Sequence, residues 1–281
     1  MSTHFNASIL MDRPWPIEID VLADKLRERY PQIGNIDGIP GQSDQADSGV
    51  ITIDGAQVVL ESVDDRVPDA TLFAPMKILR TWDPTPVIRT HMAHLTVSCG
   101  GRLPGLDGAE SYAAATHFVT ACAAMVAPAT AVLWANSHSL TTRRDFVSTA
   151  DGLLKGHMPL GCWVTYAPIV PHGYEASAAT GMVTHGLRPM IGRELELAPR
   201  PGDPKSAYRC VSTIVQLVLD SGLTLHDGQR LEDKDGAFAL TVRERTYWLR
   251  RDESAYVLVA DDSVVDPKTL QPIGTPAREV G

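Results

Sequence analysis

The chain has 281 residues, 44% hydrophobic and 21% charged, which suits one large domain or two smaller ones and excludes wholesale disorder. Its formal charge of -9 argues against broad binding to nucleic acid or to an anionic membrane, both of which call for a positive surface, and favours neutral or basic partners.

Phe5 to Met11 reads as a strand. Pro16 suits a first helical turn, Ile19, Leu22 and Leu26 recur at helical spacing, and Pro31 closes that helix. A polar loop follows from Gly34 to Gly49, with a short strand around Ile36. Val50 to Val63 reads as two strands joined at Asp54-Gly55, a strong hairpin signal. Asp69 caps a helix with Leu72, Phe73, Met76 and Leu79 on its apolar face, ended by Pro84 and Pro86, and a strand runs from His94 to Cys99. The order strand, helix, strand, strand, helix, strand is that of a split βαβ unit.

The remainder repeats the theme. Asp107 and Glu110 are spaced as a capping box ahead of a helix striped by Tyr112, Ala115, Val119, Cys122 and Val126. A strand over Thr130 to Asn136, a helix over Arg143 to Lys155 and a strand over Cys162 to Val170 come next. Met182 to Leu197 carries strands broken at Arg188-Pro189. Asp203-Pro204 opens a helix that Gly222 ends. Strands then span Leu223 to Leu231 and Phe238 to Ala260, the latter turning at Arg251-Asp252. The expected fold class is α+β: two ferredoxin-like halves with mostly antiparallel sheets and helices on one face, at residues 1–88 and 89–260, before a loose tail over 261–281. The strand at His94 could equally join both halves in one continuous sheet.

Signatures of familiar enzymes are missing. There is no G-x-S-x-G elbow and no G-x-x-x-x-G-K-[ST] phosphate loop. Gly100-Gly101 and Gly105 depart from the dinucleotide pattern and read as a loop. Cys99, Cys122, Cys162 and Cys210 form no C-x-x-C pair, so they are expected as small buried residues in a reducing, cytoplasmic setting. No run reaches the ~20 apolar residues of a membrane helix, and the N-terminus lacks a secretory signal's pattern. His91 and His94 lie three apart on a strand, on opposite faces, so one metal ion could not easily take both; no metal and no cofactor is expected. The same alternation places His94, Thr96 and Ser98 in a polar stripe on the face away from Leu95 and Val97. Glu194 and Glu196 likewise share a face, with Leu195 and Leu197 pointing inward, and Arg188 sits at the break before them. His138 follows the strand ending Trp134-Ala135-Asn136. A Ser137/His138 or Ser98/His94 couple with a remote aspartate stays open, because triads are recognised by geometry. Trp134, Trp163 and Trp248 read as core, Trp15 and Trp82 as nearer the surface. Glycine at Thr180-Gly181-Met182 permits a bulge or a close backbone approach.

The ordered motifs His91-x-x-His94-Leu-x-Val, Ala131-Val-Leu-Trp134, Trp163-Val, Thr180-Gly181-Met182 and Gly192-x-Glu194-Leu-Glu196-Leu resemble the bacterial group catalogued as domain of unknown function 4261, over roughly Met76 to Asp233. Ile191 stands where that pattern carries phenylalanine. The resemblance implies a compact α+β fold in a bacterial cytoplasm and supplies no catalytic residue.

Two readings follow. The first is a non-catalytic protein-binding module, in its sharpest form an immunity-like or adaptor protein that docks a basic partner through an acidic surface. Glu194, Glu196, His94, His138 and Arg188 are its candidate binding residues, with Glu194 and Glu196 foremost. The second is a hydrolase of unfamiliar type, its site between the two halves and drawing on His94, His138 and the two glutamates. The sequence leaves the oligomeric state and the partner's identity open.

Overall fold

A computed structural model of the chain describes residues 4–41, 47–72, 82–100, 109–170, 179–232, 239–246 and 253–263. The described residues divide into two units, one through Thr165 and one from Tyr166. The first holds a seven-stranded sheet ordered β2-β3-β4-β5-β1-β6-β7, made of β1 (His4–Met11), β2 (Ile36–Pro40), β3 (Ser48–Ile53), β4 (Ala56–Val63), β5 (Ala93–Gly100), β6 (Ala129–Trp134) and β7 (Ser139–Thr142). Every neighbouring pair in it is antiparallel. The second sheet is six-stranded, ordered β11-β12-β13-β10-β9-β8, from β8 (Thr165–Ile169), β9 (Ala179–His185), β10 (Glu194–Pro201), β11 (Arg230–Glu232), β12 (Ala239–Thr246) and β13 (Ser254–Ala260). The protein is thus α+β with two mostly antiparallel sheets; β10 and β13 pair in parallel.

The order departs from the split βαβ expectation. In that arrangement the hairpin strand after the first helix lies beside the first strand; here β5 separates β4 from β1, and β6 takes β1's other side. Because β5 bonds to both β4 and β1, the sheet is continuous across residue 88, and the division falls at 165/166 instead. The two sheets share one path. In the first, β1 leads through α1 (Ile19–Arg29) into the meander β2-β3-β4; in the second, β10 leads through α8 (Pro204–Ser221) into β11-β12-β13. The third meander strand returns parallel to the starting strand both times, with β5 intercalated in the first sheet.

Local chemistry accounts for the elements. Asp54 and Gly55, at φ of 48° and 87°, turn β3 into β4 as the hairpin signal requires. Pro84 and Pro86 were expected to end a helix, yet they open one: Pro84 is the N-cap of α3 (Thr85–Thr90), and Pro86 sits in its first turn, where the missing N–H costs nothing. The rest of the helix expected after α2 (Asp69–Leu72), the 101–108 loop with Asp107, the Arg251-Asp252 turn, Trp248 and the tail beyond residue 263 lie outside the described residues. Cys162 and Trp163 belong not to a strand but to the single turn α6 (Leu160–Trp163), begun by Pro159; Ser139 and Ser137 hydroxyls hold it through the Gly161 and Cys162 carbonyls at 3.2 and 2.9 Å. Of the strand expected over Leu223 to Leu231, only β11 forms, because His226 to Gln229 makes a turn. Thr142 caps α5 (Arg143–Leu153), accepting from the Asp145 N–H.

On its inner face the first sheet carries Phe5, Ile9, Ile51, Val58, Leu60, Leu95 and Val97, all at most 1% exposed. Helix α1 lies on β2 and β3, and α4 (Ala109–Val126) on β1, β4 and β5. Gly49 permits the close seat of α1: a Cβ there would stand 2.2 Å from the Ile19 side chain. The outer face is closed at one end, where Leu10, Leu133 and Leu140 pack with Val67, Leu72 and Ile88. Among the described residues it is open from β2 across to the start of β1. The outer rim of β2 is guarded: Arg27 donates through Nε and Nη2 to the Ile36 carbonyl at 3.0 and 2.6 Å, and Pro40 has no N–H to offer.

Candidate functional site

Glu194 and Glu196 were expected on a solvated strand face. Both are 4% exposed. The reason is position: β10 is an interior strand, bonded to β9 and β13, and alternation sends a side chain to solvent only where one sheet face is uncovered. Glu196 stands in register between Val183 and Val257. Glu194 is an anchor for its own connection. Its Oε1 accepts from the N–H groups of Gly186 and Arg188 at 2.9 and 3.1 Å, and Oε2 from the Leu187 N–H at 3.2 Å and the Thr184 hydroxyl at 2.8 Å. Burial pushes its carboxyl above the usual range against the pull of those four donors. All four lone-pair positions are used, so the carboxylate neither presents a charge to a partner nor serves as a free general base. The expected acidic docking pair is therefore corrected.

Arg188 opens the single turn α7 (Arg188–Ile191), is exposed and pairs with Glu253 at 2.5 Å. His94 is half-buried, its Nδ1–H donating to the Asp65 carbonyl at 2.7 Å. His138, at φ 52° in the β6-β7 turn, has Nδ1 3.3 Å from the Thr71 carbonyl. His91 is buried and structural: Nε2 accepts from the Val67 N–H at 3.1 Å, while Nδ1–H reaches the Ile88 carbonyl at 2.9 Å. The hydrolase set loses Glu194 as well, because that carboxylate is spent on its own loop.

What does take shape is the polar stripe at His94, Thr96 and Ser98, which widens into a face across five strands. Register aligns Ile39, Val50, Val59, Ser98 and Asn6 as direct cross-strand neighbours from β2 to β1. Ile39 is 54% and Val59 45% exposed. A parallel row holds Ser48, Glu61, Thr96 and Ser8; on the other side lie Asp37, Thr52 and Gln57. The five strands contain no lysine or arginine. Asp37 and Glu61 are exposed, with Asp47, Asp64 and Asp65 at the rim beside Glu61. The face is thus an apolar bar set among hydroxyls and flanked by carboxylates.

A second polar cluster escaped sequence reasoning. His117 on α4 is fully buried and stacks on Phe146 at 4.2 Å. Its Nδ1 accepts from Trp163 Nε1–H at 3.2 Å, so Nε2 carries the proton, 2.9 Å from the Thr149 hydroxyl, which itself donates to the Phe146 carbonyl at 2.6 Å. Burial pushes the imidazole down to about 3. Both His117 nitrogens, Trp163 Nε1–H and the Thr149 hydroxyl are satisfied by these bonds, and the arrangement is a neutral pin for α4, α5 and α6. Burial also raises the Cys99 thiol to about 11 and that of Cys122 to about 12, far from reactive thiolates. Cys162 is buried likewise and Cys210 partly so.

Among the described residues, no group of three or more His, Cys, Asp or Glu side chains could hold a metal ion, and no helix is long and apolar enough to cross a membrane. No protein family, curated protein or solved structure matches the chain.

Proposed function

We propose that the chain is a non-catalytic protein-binding module whose docking surface is the open face of the first sheet. The observation that carries this reading is the apolar row of exposed Ile39 and Val59 with half-buried Val50 between them, on strands that carry no lysine or arginine. An apolar bar with a polar surround is the anatomy of an interface, and the flanking carboxylates with the charge of -9 select a basic partner and speed its approach. An adaptor or immunity-like protein, holding a basic effector, is the role this surface suits. Four unbridged cysteines fit a reducing cytoplasm. Kinship with the domain of unknown function 4261 rests on the ordered motifs and adds no residue role.

Affinity capture from the native host tests the reading. The wild-type chain and a Leu217→Lys control on α8 should retain one stoichiometric protein at low salt and release it as salt rises, while Val59→Lys should fail to retain it. Capture of nothing, or capture indifferent to Val59→Lys, overturns the proposal.

A further inference from the structure

We infer that the occupant of this face is a basic amphipathic helix of a partner protein, laid across the strands along the Ile39–Val50–Val59 row; this rests on the docking reading above. Three features of the face select that occupant.

The first is spacing. Neighbouring strands lie ~4.8 Å apart, so the side chains of the row recur at that interval. One helical turn advances ~5.4 Å, whereas same-face residues of an added strand recur at ~6.8 Å. Apolar residues at i, i+3 or i+4, and i+7 of a helix therefore follow Ile39, Val50 and Val59 far better than a strand laid along the same line. The row from β2 to β1 covers four intervals, ~19 Å, which a helix of about 13 residues spans. Pairing along the rim of β2 is a poor alternative, because Arg27 occupies the Ile36 carbonyl and Pro40 lacks a donor.

The second is charge. Asp37 stands on one side of the row and Glu61 on the other; both are exposed, and neither carboxylate is engaged in an ion pair or hydrogen bond among the described residues. A helix with lysine or arginine on both margins of its apolar stripe meets a carboxylate on each. A second copy of this chain would bring the same carboxylates and another -9, so the face disfavours self-association.

The third is relief. Beside the apolar bar the face carries short side chains, Ser98, Thr96 and Thr52, which let a helix approach closely. A contact of this length falls at the small end of specific interfaces, for which roughly micromolar affinity is expected.

The test uses the full chain and fluorescein-labelled synthetic 14-residue peptides read by anisotropy: leucine and lysine at helical spacing, the same composition in strict alternation, and a leucine–glutamate helix. At low ionic strength the helical leucine–lysine peptide should bind at least tenfold more tightly than the other two. Val59→Ser, which changes no charge, and Glu61→Gln should each weaken it about tenfold, with thermal melts confirming an intact fold; Leu217→Ser should leave it unchanged. Equal binding of the alternating and helical lysine peptides overturns the helix assignment, and if Val59→Lys still abolishes capture of the host partner, the docking reading survives that failure. Peptide binding and host capture both indifferent to changes at Val59 sink the two together.

Discussion

Glu194 shows how a carboxylate in an interior strand serves architecture. Two oxygens collect four donors from Thr184, Gly186, Leu187 and Arg188, and a protonated oxygen would aim its own hydrogen at one of them. Glu194→Gln turns one acceptor into an NH2 group facing two of those donors. Each buried donor left unpaired costs about 1–3 kcal/mol, so urea unfolding should show a loss of about 3 kcal/mol, and a loss near zero would contradict the anchoring role. His117 poses the opposite case, a base kept neutral. Its imidazole titrates at about 3 in the folded chain against an ordinary 6.5. Above 6.5 neither state binds the proton; below it the unfolded chain does and the folded chain does not, so stability falls by about 1.4 kcal/mol per pH unit, down to the folded pKa. At pH 5 that is about 2 kcal/mol. A His117→Leu variant lacks this term. Its deficit relative to wild type should therefore be about 2 kcal/mol smaller at pH 5 than at pH 8 in urea unfolding; an unchanged gap would show that the imidazole is not kept neutral.

Elements were legible where a local signal decided them. The Asp54-Gly55 turn, the Asp203-Pro204 opening and the Gly222 stop each follow from φ preference or from an unsatisfied N–H, and neither depends on what packs nearby. Alternation in β5 correctly sends His94, Thr96 and Ser98 away from Leu95 and Val97. The identical pattern in β10 misleads at Glu194 and Glu196, because period two gives the side and says nothing of whether that side is covered. The network around His117 was invisible for a related reason: Thr149 and Trp163 are separated from it by 32 and 46 residues, and only packing brings them together. Two substitutions test the elements themselves. Thr142→Ala removes the α5 cap and should cost about 1 kcal/mol. Gly49→Ala drives a methyl into the Ile19 side chain and should cost about 1–3 kcal/mol. Thermal melts that show no drop for Gly49→Ala would mean that α1 does not press on β3 as described.

For the whole molecule, negative charge and topology work to the same end. The path strand, helix, three-strand meander occurs in both sheets, and the intercalated β5 gives the first its extra width. That added strand contributes His94, Thr96 and Ser98 to the open face, so the insertion that sets the first sheet apart also supplies the polar margin next to Val59 on the proposed docking face. Because the attraction to a cationic partner is long-range and screened, with a Debye length of ~10 Å at 0.1 M salt, raising the ionic strength should slow association far more than it speeds dissociation; stopped-flow rates insensitive to salt would contradict steering.

The Arg27 guanidinium seated on the Ile36 carbonyl has an effect on colloidal behaviour. It blunts one flank, the β2 edge, where a stranger's backbone could zip onto this ladder and propagate into a fibre. Arg27→Ala bares that carbonyl while leaving the apolar bar intact, and such a chain should scatter light progressively at concentrations where the parent stays clear.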